Sequence, residues 1–398
     1  MAVRTVTPKR LFEMRSRLWT LAALLAVLLQ AACAQPRSIE ALFVLADIAA
    51  GPDASRLKAT TAAPVRKTIS YTFEGRTYAA DVYWPGGSDT VEAATVLVPG
   101  VVRLGKDDPR LVAFAHTLAR ARFLVFVPDL VNLRQLNVSS QDAAALSRAV
   151  RYVALRAGVG NDASVGMMAF SYAAGPALLA AMAEESRETV RFVYAVGPYF
   201  SIETAVTYLT TGHFRRNADS PWRQVAPSAY ATWVFIHSSA AWLDDPEDRR
   251  ILTAIADAKL TNPDAEISGQ LARLGPEGRK ISELLFNSDP EKVPGLIAGL
   301  PEPVRSELRT LDLSRHDLNN LKARLILIHG RDDLLIPHTE SIALAAALNG
   351  DQADLFIVDN VKHVELQFTG IADVFRLWQA VRTLLEERDR MPRPSWQE

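Results

Sequence analysis

The sequence predicts an α/β fold: a mostly parallel central sheet with helices on both faces and an inserted helical cap. Three observations carry that expectation. Apolar runs of strand length alternate with helix-length stretches from about residue 94 to 198, and again from 324 to 388. Such alternation pairs strands in parallel, because each crossover uses a helix. Between the two blocks, Tyr199 to about Leu321 is mostly helical and rich in aromatics. Finally, the run from Ser164 to Phe170 turns through Ser171 directly into a small-residue helix containing Pro176 to Met182.

Taken in order, Arg4, Lys9, Arg10, Arg15 and Arg17 form a basic leader, followed by an apolar run from Leu18 to Leu29. Ala32 and Ala34 then give a small-residue cleavage pattern of the secretory type. The same stretch resembles a bacterial lipoprotein signal with Cys33 as the lipidated residue, although Gln30 stands where leucine is usual. Secretion is the expected fate, with attachment to a membrane through Cys33 or an uncleaved anchor as alternatives, and the expected location is outside the cytoplasm. Ser38 to Ala50 reads as a helix and Gly51 to Pro64 as a linker. Val65 to Trp84 alternates as two strands around a turn at Glu74-Gly75. Ala94 to Val98, Phe123 to Val127, Arg191 to Val196, Arg324 to His329 and Asp354 to Val358 read as buried strands. Asp107-Asp108-Pro109 opens a helix, since proline suits the first turn. Further helices are expected over about 141–157, 339–348 and 370–388. The expected organisation is a leader over 1–34, a helix and linker over 35–65, and a first core part over 66–198. A cap over 199–321, a second core part over 322–388 and a tail over 389–398 follow.

Composition narrows the function. Apolar residues make up 49% of 398, ample for a core, and a net charge of −1 leaves no basic excess for nucleic acid. Cys33 is the only cysteine, which excludes an intramolecular disulfide, cysteine-based catalysis and cysteine-rich metal sites. No phosphate loop, dinucleotide fingerprint or histidine pair at metal spacing occurs, so neither cofactor nor metal is called for.

A serine at a sharp strand-to-helix turn is pushed out of the sheet, and its neighbours two positions away must be small. Here those neighbours are Ala169 and Ala173. Together with His329 to Pro337 after one strand and Asp359 to Glu365 after the last, this turn resembles the α/β-hydrolase family over roughly residues 66 to 388. The order of the three segments is the family's order of nucleophile, acid and base. The resemblance implies Ser171 as nucleophile, His363 as general base and Asp333 as the acid that orients it. Asp332 is the rival acid and His338, which opens a helix near the acid loop, the rival base. It also implies two backbone N–H donors for an oxyanion: Tyr172, and Val101 or failing that Val102, in the loop where Pro99 departs from the family's histidine. The Pro128-Asp129 region looks distantly like the dienelactone hydrolase branch, whose cysteine nucleophile this chain lacks.

The function implied is hydrolysis of small carboxylic esters through an acyl-enzyme on Ser171. An acyltransferase or a peptidase would use the same triad, and a catalytically silent envelope protein of this fold is a reading of a different class. The cap aromatics Tyr208, Phe214, Trp222, Tyr230, Trp233, Phe235 and Trp242 can serve either as a substrate pocket or as the core of the insertion.

Overall fold

The computed structural model describes residues 36–87, 90–160, 162, 164–359 and 370–396. The leader with Cys33, and His363, lie outside the described residues.

Continuous apolar stretches form the centre of the sheet. β3 (Ala93–Leu97) and β4 (Phe123–Pro128) are buried along their whole length, as strands covered on both faces must be. Around them lie β1 (Val65–Phe73), β2 (Arg76–Trp84), β5 (Val165–Phe170), β6 (Val190–Val196), β9 (Arg324–Gly330) and β10 (Ala353–Val358), with a two-residue pair, β7 (His213–Phe214) and β8 (Arg223–Gln224), in the insertion. The large sheet runs β1-β2-β4-β3-β5-β6-β9-β10. Only β2 runs against its neighbours; every other pairing is parallel. The β1–β2 hairpin turns at Glu74 and Gly75, both at positive φ (51° and 74°), the backbone a right-twisted hairpin favours. The parallel strands therefore end along one edge, the place where open α/β sheets carry their sites.

Each face carries its own core. Helices Pro36–Ala50, Pro109–Arg120 and Ile371–Arg388 pack with Leu97, Val125, Met168, Phe192 and Ile326 on one side. Helices Gln141–Arg156 and Ala174–Met182 pack with Val96, Phe126, Met167, Val193 and Leu327 on the other, and that core runs on into the insertion through Val234, Ile251, Ile281 and Val304.

The segment expected as a linker is tied down instead. Ser55 caps a short helix, Arg56–Thr60, and its hydroxyl bonds Asp47. Lys58 Nζ reaches the carbonyls of Gly51 and Asp53, both at 2.8 Å. The helix before it is bolted to the end of the chain: buried Arg388 grips both oxygens of Glu40 (2.5 and 3.0 Å), and Trp378 Nε1 donates to Ser38 O at 2.9 Å. The N-terminal helix is thus a layer of the core. Polar side chains made these residues read as a linker, and those same side chains hold it in place.

Between β6 and β9 the chain forms helices Ile202–Thr211, Ala229–Ala240, Pro246–Thr261, Pro276–Leu285 and Glu302–Leu311, with shorter ones between. One joint to the core is carboxylate-rich. Glu307 accepts from Ser140 N (2.5 Å) and Ser140 Oγ (2.9 Å), beside Asp142, which is 3% exposed. Burial, and then the nearby Glu307, push the Asp142 carboxyl up to about 6, against an Asn132 hydrogen bond at 3.0 Å that favours the ion. Its place in the first helical turn also favours the ion, by roughly 0.3–1 kcal/mol. A rise of that size corresponds to about 3 kcal/mol, so burial wins.

Because the folded form holds this proton more tightly than the unfolded chain, stability falls as pH rises from about 4 to about 6 and stays lower above it. Asp142→Asn is expected to raise the melting temperature at pH 8 by several degrees, with the gain vanishing near pH 4. Thermal unfolding across that range checks it.

Candidate active site

β5 ends at Phe170 in extended conformation (φ −124°, ψ 139°), and Ser171 then swings to φ +56° before helix Ala174–Met182 begins. A left-handed backbone costs a residue with a Cβ roughly 1–2 kcal/mol. The surroundings impose it. Ala169 and Ala173 are fully buried, so strand and helix meet over methyl groups where the usual pattern has glycine. Gly175, one turn on, has no such latitude: a Cβ there would lie 1.9 Å from Tyr199 Oη. Ser171 is left half-buried at the strand-end edge.

It faces a cleft of about 1010 Å³ whose described lining includes Val101, Val102, Tyr172, Tyr230, Leu334 and Leu335. That volume is at the upper end of ligand pockets, ~300–1,000 Å³. Of the seven cap aromatics, Tyr230 lines this cleft. Phe235 and Trp242 line a separate, apolar cavity of about 50 Å³ behind Tyr172. Tyr208 is buried against Phe214, which in turn packs against His338, so these two serve the packing between the insertion and the core.

The two oxyanion candidates after Gly100 separate on geometry. Val102 N–H donates back to Gly100 O at 2.9 Å, an inverse turn centred on Val101, so its donor is spent. Val101 is buried and its carbonyl accepts from Tyr230 Oη at 2.9 Å. No hydrogen bond engages the N–H of Val101 or of Tyr172 among the described residues.

The acid loop follows β9. Asp332 is exposed and Asp333 is 3% exposed. Asp333 Oδ1 accepts from Leu335 N (2.7 Å) and Ile336 N (3.1 Å), which fixes the plane of its carboxylate. Its own carbonyl accepts from Tyr208 Oη at 2.7 Å. His329, given no role from sequence, braces the loop from beneath. It is fully buried, bonds Ile336 O through Nε2 (2.9 Å) and Ser341 Oγ through Nδ1 (2.7 Å), and lies 3.5 Å from Asp333 Oδ2. A carbonyl only accepts, so Nε2 carries the hydrogen. Glu340 adds a joint: its carboxylate accepts from Phe200 N (2.9 Å), Ser201 N (2.8 Å) and Thr204 Oγ1 (2.5 Å), capping the first cap helix. A buried histidine and glutamate in helix and strand contexts carry no sequence signal of such bracing.

His338 is buried, burial holds its imidazole below the usual value, and it is not among the described lining of the cleft. His363 lies in 360–369, outside the described residues. The ends of that segment are placed, however. Asp359 takes Arg331 Nε at 2.5 Å and donates its N–H to Asp373 Oδ1 at 2.9 Å, and Gly370 opens the last helix.

No protein-family model and no curated protein sequence matches the chain. Among solved structures, it is similar to a ligand-bound form of the rice cell wall degrading esterase LipA from Xanthomonas oryzae. The identity is 14%, over 86% of this chain and 92% of that one, at a TM-score of 0.50. A point mutant of the same esterase matches at 13% identity over 81% and 89% of the two chains, also at 0.50. A dienelactone hydrolase from Anabaena variabilis is a looser match, at 14% identity over 81% and 97% and a TM-score of 0.42.

The backbone strain at Ser171 has a measurable signature. Ser171→Gly relieves the left-handed penalty whereas Ser171→Ala retains it. The glycine variant is expected to be about 1 kcal/mol more stable than the alanine variant, read as a melting temperature a few degrees higher.

Proposed function

The chain has the α/β-hydrolase fold, and on that scaffold we propose that it is a serine hydrolase that cleaves carboxylic esters through an acyl-enzyme on Ser171. The observation that carries this reading is the serine held at φ +56° between β5 and a helix, in the same cleft as Val101. Such a backbone serves to present a hydroxyl and the following N–H to one point.

In this reading His363 takes the proton of Ser171 Oγ as that oxygen attacks the ester carbonyl. The reach supports it. His363 is four residues beyond Asp359, within about 14 Å along an extended chain, and β10 pairs Val358 with Gly330, at the root of the acid loop. Asp333, its carboxylate plane set by two N–H donors, orients the imidazole and stabilises its charge. The oxyanion lies against the N–H groups of Val101 and Tyr172. The intermediate collapses as His363 returns its proton to the leaving alcohol, and water, deprotonated by the same imidazole, releases the acid and frees Ser171. The mature enzyme works outside the cytoplasm, secreted after removal of 1–34, with lipid attachment through Cys33 as the second route. Among the described residues no helix is long and apolar enough to cross a membrane.

Hydrolysis of a panel of p-nitrophenyl esters tests the reading. Turnover with a pre-steady-state burst is expected from the wild type. Ser171→Ala and His363→Ala are each expected to lose at least about 10³-fold in kcat, since such groups act as a unit. Activity that survives Ser171→Ala would refute the assignment. In cell fractions, Cys33→Ser is expected to leave the protein soluble outside the cytoplasm, as the wild type is; a wild type in the membrane fraction that Cys33→Ser releases would indicate the anchor.

A further inference from the structure

The loop that carries Val101 is anchored by the buried Val101 side chain and, at its far end, by Lys106 with Asp81, but its backbone around Val101 has few bonds to the rest of the fold. Pro99 donates nothing, and the loop's own bonds are local: Val102 N to Gly100 O and Gly105 N to Val102 O, both 2.9 Å. Two side-chain contacts join it to the cap. One is the pair of Arg103 with Asp257 at 2.5 Å, with both side chains about half exposed, a type that holds position weakly. The other is the bond from Tyr230 Oη to Val101 O, at 2.9 Å and partly buried.

Tyr230 stands in the first turn of cap helix Ala229–Ala240. Two residues earlier, Ser228 N–H donates to Leu334 O at 2.8 Å, next to Asp333. The start of this helix therefore spans the cleft, bonded to the oxyanion loop on one side and to the acid loop on the other. Ser171 lies in the cleft beneath. The bond from Val102 N to Gly100 O ties together the two peptides that flank Val101, and Tyr230 fixes the second of them through its carbonyl. Fixing the second also sets the first, whose N–H is the donor.

The structure assigns Tyr230 as a positioning residue: its hydroxyl, reaching from the cap to Val101 O, aims the Val101 N–H at the oxyanion. This rests on the reading of Ser171 as nucleophile. It makes the cap part of the transition-state machinery as well as a wall of the substrate cleft.

The test compares wild type, Tyr230→Phe and Thr232→Val in the full chain. Thr232 is the control, because its hydroxyl bonds Leu209 O and Ser228 O, both within the cap, and does not touch the oxyanion loop. With p-nitrophenyl acetate, Tyr230→Phe is expected to lower kcat roughly tenfold, less than outright loss of an oxyanion donor costs, with KM changed less than about twofold. Its affinity for phenylboronic acid, which adds to the serine as a tetrahedral anion, is expected to weaken by the same factor, whereas Thr232→Val keeps both values. Wild-type kcat and boronic-acid affinity in Tyr230→Phe would overturn the assignment, as would equal losses in Thr232→Val. A wild type that neither turns over the ester nor binds the boronic acid would refute the serine reading itself, and the role of Tyr230 with it.

Discussion

The left-handed backbone at Ser171 is the constraint on which the rest of the structure depends. A buried strand, β5, must stop and turn into a helix without leaving the sheet edge, and a serine with a Cβ occupies the turn. Everything adjacent is cut to fit: methyl groups at Ala169 and Ala173, and no side chain at Gly175 under Tyr199. Strain of this kind persists only where packing over-determines it, and here cores on both faces of the sheet clamp the strand and the helix.

The second theme is the integration of the insertion. It is fastened to the core at points that also shape the cleft. Glu340 caps its first helix from the acid-loop side, Tyr208 holds the Asp333 carbonyl, and Ser228 and Tyr230 straddle the opening. Away from the cleft, Glu307 fastens it to the helix that begins at Gln141. These are hydrogen bonds between groups distant in sequence, and all but that of Glu307 lie close to the catalytic candidates. The insertion and the loops it grips therefore form one polar framework, and most of its aromatics are packing within that framework.

The sheet was legible because its determinants are local. Apolar runs, their helical spacers, the turn at Glu74-Gly75 and the small residues around Ser171 all act within a few positions of chain. The segment from Gly51 to Pro64 misled because its polar groups are held by partners the sequence pattern does not show, among them Arg120, which donates to Thr61 O at 3.2 Å and Thr61 Oγ1 at 2.8 Å from a distant helix. Ser55 and Lys58 look like solvated linker residues until Asp47 and the carbonyls of Gly51 and Asp53 come within reach. In the site, adjacency in sequence could not separate Val101 from Val102. The difference is a single turn that spends one N–H and leaves the other. The bracing by His329 depends on how the loop folds back over it, with Asp333, Ile336 and Ser341 four to twelve residues away, and the reach of Tyr230 on the opposite wall of the cleft; neither leaves a periodic trace. Asp332 and Asp333 are the same residue type side by side; burial and the two backbone N–H donors to Asp333 set them apart, and both follow from how the loop folds.

The central claim is that this strained serine is chemically activated. It is tested most directly by treating protein lacking residues 1–34 with a fluorophosphonate probe and mapping the adduct by mass spectrometry. A stoichiometric adduct on Ser171, absent from Ser171→Ala and lost from His363→Ala, is the expected result. A folded wild type that takes up no label, or takes it elsewhere, would contradict the claim and leave the fold as a binding scaffold.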